Sequence, residues 1–170
     1  MNIYSKSIIL KKIIEAINLS DINVSIAVLK EEIILYPKGE KVLDKELVEL
    51  PLSFLDEKSA EHFTQGLQFY QNRKFIKSAE SLRRSIEEFL KFKLNNKKGL
   101  QSNIIELQKI LKTKDLNVQI RNIISQVFTL MDQYFNENSK HNDGDINEKE
   151  NEFLIYQIGL LMRYINHNIE

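Results

Sequence analysis

The residue best placed to do chemistry is His141. It falls in a polar stretch, Glu137 to Ile146, between two strongly apolar-periodic segments. Imidazole exchanges protons near neutral pH, so a histidine in such a loop can act as acid or base without being buried. Lys140 beside it supplies a positive charge, and Asn138, Asn142 and Asp143 stand close enough in sequence to orient the ring or contact a phosphate. The other two histidines, His62 and His167, stand alone within helical patterns and are expected to be structural. The chain has no cysteine, which excludes disulfides, iron–sulfur clusters, thiol nucleophiles and thiolate zinc sites. It also has no glycine-rich phosphate loop. Ser139 to Glu150 resembles a calcium loop in the spacing of Gly144 and Glu150, but Ser139 and His141 occupy positions where that loop needs carboxylates. No metal and no cofactor is expected. The bland reading of Asn142-Asp143-Gly144-Asp145 is a solvated turn before a helix cap.

The formal net charge is zero, with 24 Lys and Arg against 24 Asp and Glu, so any electrostatic partner must be met by a local patch. One such patch runs from Arg73 to Lys98, where nine basic residues, Arg83 and Arg84 among them, face three acidic ones. The segment from Glu137 to Glu152 is acidic in balance. Opposed patches of this kind attract RNA phosphate or set two protomers in register, while most of these residues are equally explained as solvated helix faces with pairs such as Glu87–Lys91.

A chain of 170 residues fits one globular domain with room for a small appendage. The dense isoleucines before Leu19 are interrupted by Lys6, Lys11, Lys12 and Glu15, so they read as an amphipathic helix and not as a secretory or membrane-spanning segment. A cytoplasmic protein without a membrane partner is expected. From Ser20 to Tyr36 two periods compete: Ile22, Val24, Ile26 and Val28 alternate, whereas Ile22, Ile26, Leu29 and Ile33 follow helical spacing with Ser20 or Asp21 as cap. The helical spacing is preferred here. Pro37-Lys38-Gly39 ends that element, and a short helix from about Lys41 is expected to close at Pro51.

After Pro51 the sequence reads as an all-α antiparallel bundle over residues 51–170, with residues 1–50 a small N-terminal helical appendage. Asp56 or Ser59 caps a helix whose Ala60, Phe63, Leu67 and Tyr70 share one face. A second helix spans about Lys74 to Leu94 and turns Phe75, Ala79, Leu82, Ile86, Phe89 and Leu90 inward. Ser102 precedes a third, with Ile105, Leu107 and Leu111. From Leu116 the spacing of Ile120, Ile123, Val127, Leu130 and Tyr134 predicts a long fourth helix ending near Asn136 or Asn138, whose broad apolar face, with that of the last helix, is the expected homodimer surface. Asn147 with Glu150 three residues on forms a capping box that opens a last helix carrying Phe153, Tyr156, Leu160, Leu161, Tyr164 and Ile165.

Four segments together carry a resemblance: Tyr36-Pro37-Lys38-Gly39-Glu40, Leu43-Asp44-Lys45-Glu46-Leu47-Val48, Ser81-Leu82-Arg83-Arg84-Ser85-Ile86-Glu87 and Lys140-His141-Asn142-Asp143-Gly144. In this order the chain resembles the C-terminal helical domains of bacterial abortive-infection proteins, which are similar to the HEPN superfamily. The resemblance covers roughly residues 31 to 170. It implies a bundle of four to five helices, a homodimer, and a role in phage defence or a toxin–antitoxin system, with RNA or a defence-system protein as partner and in some members metal-independent ribonuclease activity. On it, His141 and Lys140 become the catalytic candidates, and Arg83, Arg84, Asn138 and Asn142 the phosphate-binding ones. Active members carry an arginine four to six residues before the histidine; from Tyr134 to Lys140 this sequence has none, and Lys140 lacks the planar bidentate grip of a guanidinium. Only folding can bring Arg121 or Arg163 near. The alternative is a dimerisation or protein-interaction module without chemistry, which an exposed apolar face on the last two helices would favour. If the loop does chemistry, His141→Ala abolishes RNA cleavage by the purified protein and leaves the circular-dichroism spectrum and melting midpoint unchanged; full cleavage by the variant excludes His141 as the acid–base group.

Overall fold

The computed structural model describes residues 11–17, 24–29, 32–37, 44–140 and 146–169. Helix α1 covers residues 11–17. The helix expected between Ser20 and Tyr36 is replaced by an antiparallel hairpin of β1, Val24–Leu29, and β2, Glu32–Pro37, paired from Val24 opposite Pro37 to Leu29 opposite Glu32. Val24, Ile26, Val28, Ile33 and Ile34 are β-branched and stiff at χ1, which suits the pleated strand and costs helix propensity. Tertiary contact decides between the two periods: β2 lies on the helix Glu57–Gln71, and Ile26 is buried. The Ser20 or Asp21 cap, the Lys38-Gly39 turn and the start near Lys41 lie outside the described residues.

Pro51 does not close a helix as its chemistry suggests. Lys45–Glu49 is wound as π-helix, the Leu50 amide donating to the Lys45 carbonyl, and runs directly into α2, Leu50–Phe54, where Pro51 takes one of the first positions. Proline gives no N–H to the carbonyl four residues back and its ring crowds that oxygen, here that of Leu47. Widening the preceding turn relieves the crowding, and the first turn of a helix tolerates proline. The bundle thus reaches back beyond residue 51, with Val48 in its core and the buried Asp44 accepting a 2.8 Å hydrogen bond from the Tyr156 hydroxyl.

Helix α3, Glu57–Gln71, begins at Asp56, whose carboxylate accepts from the Ser59 amide and hydroxyl. The expected face of Ala60, Phe63, Leu67 and Tyr70 is buried. Helix α4, Phe75–Lys93, packs on α3 and buries Ala79, Leu82, Ile86, Phe89 and Leu90 as their spacing predicts. Helix α5, Leu100–Thr113, turns Leu100, Ile104, Leu107 and Leu111 inward and leaves Ile105 60% exposed. The 4-3-4 spacing of those four makes the continuous stripe, and Ile105 lies roughly 100° round the helix from Ile104. Helix α6 is Val118–Lys140 and α7 Glu148–Asn168, the latter opened by the expected capping box: Asn147 accepts from the Glu150 amide at 3.0 Å while Glu150 accepts from the Asn147 amide at 3.1 Å. No described helix is long and apolar enough to cross a membrane.

The helices meet on α4, which packs against α3, α5, α6 and α7. Its small residues allow this. The buried Ser78 hydroxyl lies 2.7 Å from the Asn151 amide oxygen and 2.8 Å from the Gly66 carbonyl, its one proton shared between two acceptors, and Asn151 donates to the Phe75 carbonyl at 2.8 Å. Ser85 donates to the Ser59 carbonyl at 2.7 Å. Both of these hydroxyls are thereby satisfied, which avoids a desolvation cost of roughly 1–3 kcal/mol per group.

Glycine sets the closest approach elsewhere. A Cβ on Gly159 of α7 would stand 1.8 Å from the Leu47 carbonyl oxygen, the same oxygen that Pro51 leaves without its usual donor. Gly159→Ala therefore forces α7 away from the π-helical turn and is expected to cost at least about 2–3 kcal/mol in denaturant unfolding. Gly99→Ala, where nothing lies within 4 Å, stays within about 0.5 kcal/mol of the parent. Equal stabilities for the two variants would contradict this packing.

Candidate interaction surface

Helix α6 carries two apolar stripes. Ile124, Phe128, Met131 and Phe135 are buried against the body, not the stripe from Ile120 to Tyr134 that regular spacing selects. That stripe borders the buried one and faces outward: Ile123 is 53% and Leu130 64% exposed, Ile120 is exposed, and Val127 and Tyr134 are half-buried. At roughly 100° per residue the apolar arc from Leu130 round to Phe128 spans about 160°, wider than one contact with the body covers. The reason is positional: α6 packs on α4 and α5, while few backbone approaches join it to α7.

The outward stripe follows a heptad, with Ile120, Val127 and Tyr134 at a and Ile123 and Leu130 at d. On its solvent side Gln119, Gln126 and Gln133 recur every seventh residue, all exposed. Across Val118 to Tyr134 only Arg121 and Asp132 are charged, in a chain that is 28% charged. Arg121 donates its Nε proton to the Leu116 carbonyl at 3.1 Å, and Asp132 is buried. From Val118 to Tyr134 the outer face of this helix is therefore uncharged.

Where α6 separates from α7 an apolar cleft of about 370 Å³ opens, lined by Leu130, Met131, Tyr134, Phe153 and Leu154 and rimmed by Lys149 and Glu150. Phe153 is 60% exposed and Leu160 also faces out, whereas Leu154, Ile155, Ile158, Leu161, Met162 and Ile165 form the inward face of α7. Tyr134 donates to Glu150 at 3.3 Å. Burial and the nearby Glu150 carboxylate push its hydroxyl up to about 12, so it stays a neutral donor through the physiological range.

The residues singled out for chemistry are not gathered here. His141 and Asn142, and the side chains of Asn138 and Lys140 on the last turn of α6, lie outside the described residues. Arg83 is half-buried and turned between helices: it pairs with Glu87 at 3.4 Å and with the buried Asp132 of α6 at 3.5 Å, while Gln101 of α5 donates to the same carboxylate at 2.5 Å. Arg84 is exposed. Arg163 pairs with Glu46 at 2.5 Å. His62 is half-buried on α3 and His167 exposed in the last turn of α7. Among the described residues no group of three or more His, Asp or Glu is placed to hold a metal ion.

Asp132 gave the sequence little warning. An acid amid an apolar-periodic run reads as a solvated position, and its partners Arg83 and Gln101 are remote in sequence. Comparison with protein-family models, with curated proteins and with solved structures finds no match.

The two neighbouring arginines should separate cleanly. Arg83→Ala strips a partner from a buried carboxylate and is expected to destabilise by roughly 1–3 kcal/mol, whereas Arg84→Ala changes stability by less than about 0.5 kcal/mol. Urea unfolding of both variants checks this, and a neutral Arg83→Ala would contradict an interhelical role for the guanidinium.

Proposed function

We propose that this chain is a non-catalytic interaction module that pairs with a second copy through the outer face of α6 and the adjoining edge of α7. The carrying observation is the exposed heptad stripe, on a face that carries no outward charge from Val118 to Tyr134. Apolar area that stays in water gives up its transfer free energy, and depletion of charge at its centre is a compositional mark of interfaces. Extent agrees as well. At 1.5 Å per residue α6 is about 34 Å long, and one helix face alone falls short of the roughly 800 Å² per partner of a standard interface. Phe153 and Leu160 on α7 extend the apolar surface towards that size.

In this reading the module is HEPN-like in its degenerate, non-cleaving form, serving assembly in a phage-defence or toxin–antitoxin setting. The absence of an arginine between Tyr134 and Lys140, and the engagement of Arg83, Arg121 and Arg163 with partners of their own, support assembly over cleavage.

Sedimentation velocity at high micromolar concentration is the test. A species of twice the 20.0 kDa chain is expected. Leu130→Glu, at a position exposed in the single chain, should leave the melting midpoint of the dilute protein unchanged and shift the high-concentration species to monomer, because a carboxylate buried in an apolar seam is costly. A parent that stays monomeric, or a variant that dimerises like the parent, contradicts the proposal.

A further inference from the structure

We infer that the two copies pair with their α6 helices antiparallel, so that the N-terminal half of one α6 fills the cleft between α6 and α7 of the other. This rests on the pairing proposed above and adds its direction and the occupant of the cleft.

Three observations point the same way. The cleft lies beside Leu130 and Tyr134, at the C-terminal half of the stripe. A parallel pair would set cleft against cleft and leave both open, whereas an antiparallel pair brings the exposed Ile120 of each copy to the cleft of the other. The stripe admits this register: matching a with d positions sets Ile120 against Leu130 of the second copy and Ile123 against its Val127, aliphatic on aliphatic in these layers.

The exposed flank is compatible with this direction: the e positions Ile124 and Met131 are buried in their own body, and the g positions Gln119, Gln126 and Gln133 face solvent. In an antiparallel pair g faces g. Gln126 then meets Gln126 of the second copy, and Gln119 meets its Gln133. An amide carries both donors and an acceptor, so each glutamine can hydrogen-bond its own kind, which a two-fold interface requires. A charged side chain near the axis would meet its own charge, and from Val118 to Tyr134 the outward side chains are uncharged.

The absence of native cysteine makes the test direct. Ile120→Cys and Leu130→Cys are purified separately as full chains, their dimer fractions are confirmed by sedimentation, and each is oxidised alone and after mixing. Antiparallel pairing gives a covalent dimer in the mixture and little in either protein alone. Efficient crosslinking of each variant alone shows parallel pairing and overturns the inference. Dimers that crosslink in no sample place the interface elsewhere and also overturn it. A parent protein that sediments as monomer is a different failure, that of the proposed function itself.

Discussion

Everything in this fold is arranged around crowding on α4. Four helices approach it, and helices come this close only where side chains are small and every displaced hydrogen bond is replaced. Ser78, Ala79, Ser81 and Ser85 supply the small surface, Gly66 lets α3 settle on Leu82, and the Ser78–Asn151–Phe75 hydrogen bonds tie α7 to the start of α4. About two turns further along α7, Gly159 meets the turn that precedes Pro51.

The outward stripe of α6 follows from that crowding. With α3 and α7 already seated on α4, α6 packs on α4 and α5 and stands off from α7. Its apolar arc is then covered on one side only. Among its polar contacts the buried Asp132 carboxylate meets Arg83 and Gln101 from two other helices, on the side of α6 opposite to the exposed Ile120, Ile123 and Leu130. One guanidinium that looks free for phosphate in the sequence is thus engaged between helices.

Much of the bundle was legible in the sequence because local signals agreed with global packing. Asp56, the Asn147–Glu150 box and the faces of α3 and α4 follow directly from spacing and capping chemistry. The hairpin was not, because Ile26 satisfies a period of two and a period of 3.6 equally well, and contact between β2 and α3 decides. The second, buried stripe of α6 was not legible either. Two interleaved apolar stripes fit the same helix, and the more regular one is the exposed one, since regular heptad spacing suits a partner helix while the irregular surface of α4 and α5 is met by Ile124, Phe128, Met131 and Phe135.

The central claim is that the outer face of α6 leaves water when two chains meet. Methyl NMR over a concentration series from micromolar to millimolar reads this residue by residue. The account predicts concentration-dependent shifts at Ile120, Ile123 and Leu130 with no change at the core methyls of Leu82 and Ile86. Methyl positions on α6 that do not move across the series, or shifts confined to another surface, would contradict it.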